Sequence, residues 1–95
     1  MRRKVDLNQS QIVRTLHSAG CGVLDLSAVG RGCPDLLVHG PAYPHSYRLV
    51  EIKNLDGRGN KLTPAQIQFH ARWRGSIVVV ESVDQALAAM GLVGT

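Results

Sequence analysis

The chain has 95 residues, of which 44% are hydrophobic and 4% aromatic, and 11 Lys and Arg against 7 Asp and Glu give a net charge of +4. This length supports one small domain over residues 1–95 and excludes two separate cores, while the scarcity of aromatics argues against a broad base-stacking platform. The positive charge favours a polyanionic partner such as nucleic acid. With no signal peptide, no long apolar run and no CxxC zinc spacing, we expect a cytoplasmic protein with free thiols and no membrane partner.

The first half of the chain predicts one helix followed by three strands. Asn8 and Gln11 have the spacing of a capping box, and apolar residues then recur at helical spacing to Ala19, which predicts a first helix of about three turns. Residues 22–29 alternate loosely and predict a strand. Two further strands flank residues 40–46, whose Gly and two Pro favour a loop between antiparallel strands.

The second half predicts a loop, a helix, a strand and a short helix. Residues 54–61 are polar and rich in glycine, whereas Thr63-Pro64 is a strong helix start, with the helix continuing to about Arg74. Residues 76–81 form an apolar, β-branched run typical of a buried strand, and Ser82 caps the last helix. The order is α-β-β-β-α-β-α, which predicts an α/β fold with a mixed sheet covered by helices on both sides.

Two groups of apolar residues have predicted positions. Phe69 and Trp73 lie on one side of the second helix and are predicted to be core residues. The C-terminal segment could either form a dimer interface or close the monomer's own core. Its apolar residues are Val83, Ala86, Leu87, Met90, Leu92 and Val93.

Two carboxylates stand inside strand-like apolar runs, where charge is uncommon. If the hairpin is symmetric about Tyr43, Asp35 lies opposite Glu51, and Lys53 projects from the same face because side chains alternate along a strand. Opposed like charges destabilise a sheet, so a divalent cation between them is the economical explanation. The alternative is a structural ion pair between Lys53 and one of the carboxylates.

These residue types suit phosphodiester hydrolysis. Asp35, Glu51 and the carbonyl of Ile52 could hold one or two Mg²⁺ ions. Lys53 could orient or deprotonate the attacking water, or stabilise the pentacoordinate phosphate.

Pro34-Asp35 followed by Glu51-Ile52-Lys53 resembles the signature of PD-(D/E)XK nucleases. The flanking runs narrow the resemblance, since residues 32–37, 50–53 and 62–66 are similar to the VRR-NUC group, particularly its small stand-alone members from phages and bacteria. The likeness spans roughly residues 9–80, and the element order matches the α-β-β-β-α-β core of restriction-endonuclease-like folds.

The resemblance implies a Mg²⁺- or Mn²⁺-dependent endodeoxyribonuclease. By position, Asp35 and Glu51 would bind metal, Ile52 would contribute its carbonyl, Lys53 would be the catalytic lysine and Gln66 the helix glutamine that faces the site.

The first helix departs from the family pattern, which commonly places an acidic metal ligand there. Gln9 matches a family glutamine, whereas the neighbouring stretch has no Glu, and Asp6 is the acidic residue nearby. Contacts to the DNA backbone are predicted for Arg31, Arg58 and Lys61 because they are cations in glycine-rich segments.

No segment resembles a recognition helix, so selectivity for DNA structure is expected over selectivity for sequence. The resemblance implies branched DNA or Holliday junctions as substrates, and symmetric incision of a junction implies a homodimer. The location would be the cytoplasm of a bacterium or of a phage-infected cell. The alternative is a catalytically weak nucleic-acid-binding subunit that keeps the nuclease fold.

Overall fold

The computed structural model describes residues 4–41, 47–53 and 61–92, and its element order is the predicted α-β-β-β-α-β-α. No helix in these ranges combines the length and the apolarity needed to cross a bilayer. The elements are α1 (Lys4–Ser18), β1 (Gly22–Asp25), β2 (Leu36–His39), β3 (Tyr47–Ile52), α2 (Pro64–Arg72), β4 (Ile77–Val80) and α3 (Val83–Ala89).

The four strands form one mixed sheet in the order β1-β2-β3-β4, which confirms the predicted α/β architecture. β1, β2 and β3 are antiparallel neighbours, and β4 runs parallel to β3. In the β2-β3 pair, Leu36 lies opposite Val50. One step further along the same register, Asp35 lies opposite Glu51, as the symmetric hairpin predicts.

One face of the sheet carries the core. α1 and α3 pack on this face and contact each other. In addition, α1 contacts β1 and α3 contacts β4. The opposite face is only partly covered: Tyr47 is 62% exposed and Leu24 and Val79 are also exposed, whereas Leu49 and Glu51 on the same face are buried. α2 lies on this second face, since its Gln66 bonds to Glu51 and Lys53. Helices therefore flank both faces of the sheet, as predicted, although α2 leaves part of the second face uncovered. The main buried residues of the core are Ile12, Leu16, Leu36, Val38, Val50, Ile52, Val80, Ala86 and Met90.

Two element boundaries differ from the sequence-based expectation. α1 begins at Lys4 and not at Asn8, so Asn8 lies inside the helix and is not its cap. β1 ends at Asp25 and does not reach Val29. Asp25 accepts hydrogen bonds from the backbone N–H and the hydroxyl of Ser27, and such a local turn ends the strand.

α2 begins as predicted and packs less tightly than predicted. Its capping box is complete: the Thr63 side chain accepts from the Gln66 N–H, and the Gln66 side chain accepts from the Thr63 N–H. The helix ends at Arg72, and none of its residues is fully buried. Phe69 is partly buried and Trp73 is 47% exposed, so the prediction that Trp73 is a core residue is wrong.

The C-terminal segment closes the monomer's own core. Ala86 and Met90 are buried, and Val83, Leu87 and Leu92 pack against the core cluster. Of the two predicted roles, dimer interface and closure of the monomer core, the fold of the single chain displays the second. Val93 lies outside the described residues.

Candidate active site

Asp35 is fixed at the point where β2 begins. Its Oδ2 accepts a hydrogen bond of 2.8 Å from the backbone N–H of Ile52, and its backbone carbonyl accepts one of 2.7 Å from Leu26. The first bond crosses to the end of β3 and the second crosses to the segment after β1. Pro34, which precedes Asp35 in the chain, is fully buried. The carboxylate is therefore held against the end of β3, with its other oxygen Oδ1 not engaged by Ile52.

Glu51 is the buried member of the carboxylate pair, with 1% of its surface exposed. Its Oε2 accepts from Gln66 Nε2 at 3.2 Å, while its buried Oε1 has no hydrogen-bond partner among the described residues. Burial and then the adjacent Asp35 raise the pKa of Glu51 to about 8, although the charge of Lys53 acts in the opposite direction. Without a cation, ionisation of both Asp35 and Glu51 at the same time is therefore unfavourable.

Lys53 is also buried, with 6% of its surface exposed. Its Nζ donates a 2.7 Å hydrogen bond to Gln66 Oε1, and its backbone N–H donates to Val80 at 2.9 Å. In the described ranges Lys53 forms no ion pair with Asp35 or Glu51. These contacts therefore do not support the alternative of a structural ion pair between Lys53 and one of the carboxylates.

Gln66 connects Lys53 and Glu51 to α2. Its Oε1 accepts both from Lys53 Nζ and from the Thr63 N–H at 2.9 Å, and its Nε2 donates to Glu51. The same side chain therefore completes the capping box of α2 and orients a lysine and a carboxylate on the sheet. The amide orientation follows from this network, because Oε1 meets two donors and Nε2 meets an acceptor.

A turn of unusual backbone geometry brings α2 to the sheet. Gly30, Arg31 and Gly32 have φ of 75°, 58° and 81°, a left-handed conformation that favours glycine. A Cβ at Gly32 would lie 2.2 Å from the carbonyl oxygen of Ala65. Gly32 thus permits a backbone-to-backbone approach that places the first turn of α2, and Gln66 with it, beside the carboxylates.

Two residues near the site were not singled out from the sequence. Burial, and then the charges of Glu51 and Asp35, raise the pKa of the Cys33 thiol, which favours the neutral thiol. Its position two residues before Asp35 was the signal, because strand-like alternation places both on one face. Asn8 Nδ2 lies 3.5 Å from the Lys53 carbonyl, at the limit of a hydrogen bond.

In the described part of the chain, Gln9 bonds to Asp25 and not to Asp35 or Glu51. Its Nε2 donates to Asp25 Oδ2 at 3.3 Å, and Asp25 pairs with Leu36 in the register of the sheet. Asp25 therefore belongs to the face opposite that of Asp35. Hydrogen bonds from Ser27 lower the pKa of Asp25, so this carboxylate stays ionised. The contribution of Gln9 to the site remains a prediction.

The predicted DNA contacts are only partly described. Arg31 and Lys61 are exposed to solvent. Arg58 and the side chain of Asp6 lie outside the described residues. Both cysteines are free thiols, as predicted, with Cys21 buried and Cys33 partly buried.

The donor set of the site suits a hard divalent cation. Within residues 4–41, 47–53 and 61–92, no three His, Cys, Asp or Glu side chains converge on one metal position, so a backbone oxygen would have to complete the set. The Ile52 N–H faces Asp35, and in an extended strand the carbonyl of the same residue faces the same edge. Two carboxylates, one of them with an unpartnered buried oxygen, and one carbonyl fit Mg²⁺ or Mn²⁺, which retain several waters.

A solved structure described as a VRR_NUC domain is similar to this chain, with a TM-score of 0.71 and 31% sequence identity. The similarity covers 93% of this chain and 97% of that one. No family model matches the chain, and no curated protein matches it.

Proposed function

The chain belongs to the VRR-NUC family of nuclease domains, and from that premise we propose that it is a Mg²⁺- or Mn²⁺-dependent endonuclease that hydrolyses phosphodiester bonds in DNA. The observation that carries the proposal is the buried network of Glu51, Lys53 and Gln66 beside Asp35. Buried charges at this density are costly for a small fold, and a reaction on a phosphate explains why both signs are gathered there.

Asp35, Glu51 and the Ile52 carbonyl would hold the cation. When bound, the cation would neutralise charge on the phosphate and make water a better nucleophile. The protein's part is to keep the two carboxylates opposed across the β2-β3 pair at the cost of a raised pKa at Glu51. A cation relieves that opposition, so the site is arranged for a ligand of positive charge.

Lys53 would act on the phosphate or on the attacking water. One of its N–H groups is committed to Gln66 Oε1, which fixes where the ammonium stands and leaves two protons as donors. A compact cation held in a buried position stabilises negative charge that develops at the phosphate more strongly than one in water. Gln66 therefore supports the proposed catalysis by positioning Lys53 and Glu51.

We extend the proposal to branched DNA, including four-way junctions, cut by a homodimer. Two symmetric incisions require two sites, and a two-fold dimer supplies them. Since Ala86 and Met90 are already buried in the monomer core, the dimer interface would use other surfaces. Sedimentation equilibrium tests this part: a monomer that gives only single nicks on junctions would contradict it.

Plasmid cleavage with Mg²⁺ or Mn²⁺ tests the nuclease proposal. Asp35→Asn and Glu51→Gln should each abolish metal-dependent cleavage while the protein stays folded. Asp84→Asn is the matched control, since Asp84 is an exposed carboxylate on α3 and should be neutral to activity. Cleavage by Glu51→Gln at the wild-type rate would overturn the assignment of the site.

The alternative is a nucleic-acid-binding subunit without appreciable catalysis. The observation in its favour is that Gln9, in the helix where an acidic ligand is common, bonds to Asp25 and not to the carboxylate pair. Wild-type protein that binds branched DNA but leaves every substrate intact with either metal would establish this alternative.

A further inference from the structure

Trp73 lies at the end of α2 with 47% of its side chain exposed. Its indole is stacked on the ring of Phe69, with centroids 5.6 Å apart and an interplanar angle of 17°. Along its edge, a Cβ added at Gly75 would lie 2.6 Å from the indole Nε1, so the Gly75 backbone packs closely there. The indole is therefore supported on a face and along an edge, and is still open to solvent.

The charge around Trp73 is positive. Arg72 and Arg74 flank it, and both are exposed. Residues 61–80 contain Lys61, Arg72 and Arg74 and no Asp or Glu, so this segment carries a formal charge of +3. In the described part of the chain neither arginine forms an ion pair. An exposed aromatic ring with an exposed arginine on either side in the chain is complementary to a nucleotide, which offers a flat base and a charged phosphate.

The position of Trp73 relates it to the candidate active site. It follows Gln66 by seven residues, which is nearly two full helical turns, so both lie on one side of α2. The separation along the helix axis is roughly 10 Å at about 1.5 Å per residue. A DNA strand advances about 3.4 Å per nucleotide, so Trp73 is within roughly three stacked nucleotides of Gln66.

We propose that Trp73, flanked by Arg72 and Arg74, stacks on an unpaired DNA base close to the bond that is cut, and thereby selects DNA that contains unpaired nucleotides. The base must be unpaired, because paired bases in a duplex stack on one another and present only their edges. This inference rests on the proposed function and specifies which substrates it favours. A single aromatic contact of this kind requires few aromatic residues, in keeping with the composition of the chain.

The chain contains a single tryptophan, so intrinsic fluorescence reports on Trp73 directly. Metal-free Asp35→Asn protein is titrated with oligo-dT, with an abasic oligomer of equal length and charge, and with a blunt duplex. Oligo-dT should quench the emission, whereas the abasic oligomer and the duplex should leave it unchanged. Equal responses to oligo-dT and to the abasic oligomer would overturn the proposal, because contact would then be with the phosphates alone.

Variants separate stacking from general binding. By anisotropy of labelled DNA, Trp73→Ala should weaken binding of oligo-dT about ten- to a hundredfold and leave duplex binding unchanged, and Trp73→Phe should restore most of the loss. Tyr47→Ala is the control, because Tyr47 is an exposed aromatic on the uncovered part of the second sheet face. Equal loss on duplex and on oligo-dT, without rescue by Trp73→Phe, would overturn the proposal.

Binding and cleavage assays together show whether the stacking proposal or the nuclease proposal has failed. A wild-type protein that stacks on oligo-dT but cuts no DNA contradicts the proposed nuclease activity and leaves the stacking site intact. A wild-type protein that cuts DNA, with Trp73→Ala showing the same preference between blunt and flapped substrates, contradicts the stacking site alone.

Discussion

Gly32→Ala tests whether the approach of α2 to the sheet positions the catalytic groups. The new methyl carbon would lie 2.2 Å from the Ala65 carbonyl oxygen and 2.9 Å from the Gln66 backbone nitrogen. Because carbon and oxygen normally approach to about 3.3 Å, the first turn of α2 must retreat by about 1 Å. Gln66 moves with that turn, and its 2.7 Å bond to Lys53 Nζ breaks or lengthens.

The expected effect is large on the rate and small on the fold. A displacement of about 1 Å in a positioning group costs roughly a hundredfold in rate. The left-handed backbone at Gly32, with φ of 81°, adds about 1 to 2 kcal/mol of strain for any residue with a Cβ. Since no residue of α2 is fully buried, the retreat of the helix itself should remove little further stability.

Gly30→Ala is the matched control. Its φ is 75°, so the backbone penalty is nearly the same, and a Cβ there would meet nothing within 4 Å. Single-turnover cleavage and urea denaturation are measured on both variants. Both should lose similar stability, and only Gly32→Ala should lose the rate. Equal rates for the two variants would refute the argument that this close packing positions Gln66 and Lys53.

Three further predictions concern charge. In metal-free protein the pKa of Glu51 is raised from 4.5 to about 8, so the contribution of Glu51 to the free energy of unfolding should be fully present below pH 4.5 and be lost as pH rises through 8. Measured by urea denaturation, the free energy of unfolding should fall by up to about 1.4 kcal/mol per pH unit in this range. Glu51→Gln or added Mn²⁺ should reduce this dependence on pH, and a wild-type protein whose stability does not change with pH would contradict the raised pKa. Lys53→Met should keep Mn²⁺ binding, measured by calorimetry, and lower the single-turnover rate by roughly a hundredfold or more, whereas loss of Mn²⁺ binding would show that the lysine has been misassigned. Alanine at both Arg58 and Lys61 should reduce the salt dependence of DNA binding by about two units of slope, and an unchanged slope would remove both residues from the DNA contact.

Local patterns predicted the parts of the site that depend on strand register and helix capping. A loop of known length between two apolar runs leaves few registers, and the symmetric one places Asp35 opposite Glu51, as observed. Thr63 and Gln66 have the spacing of a capping box, which is decided within one helical turn. These features involve neighbours along the chain or across one hairpin, so sequence reasoning reaches them.

The features that local patterns do not decide depend on contacts between distant segments. The run Gly30-Arg31-Gly32 indicates a tight turn, but nothing local says that Ala65 will lie against it. Helical periodicity correctly places Trp73 beside Phe69. It does not show whether the sheet extends far enough to bury both side chains. Gln9 likewise falls on the inner side of α1, and only the position of Asp25 decides which polar group it meets.

The absence of any buried residue in α2 has a consequence for how unfolding is measured. Segments with little apolar burial open locally at free energies far below that of global unfolding. Backbone amides of α2 should therefore exchange with deuterium much faster than those of β3, whose residues Leu49 to Ile52 are buried. We therefore expect Glu51 to stay in place on the sheet while Gln66 leaves and returns with its helix. A melting curve follows the sheet with α1 and α3, and amide exchange is the measurement that follows how often Gln66 is in contact with Lys53.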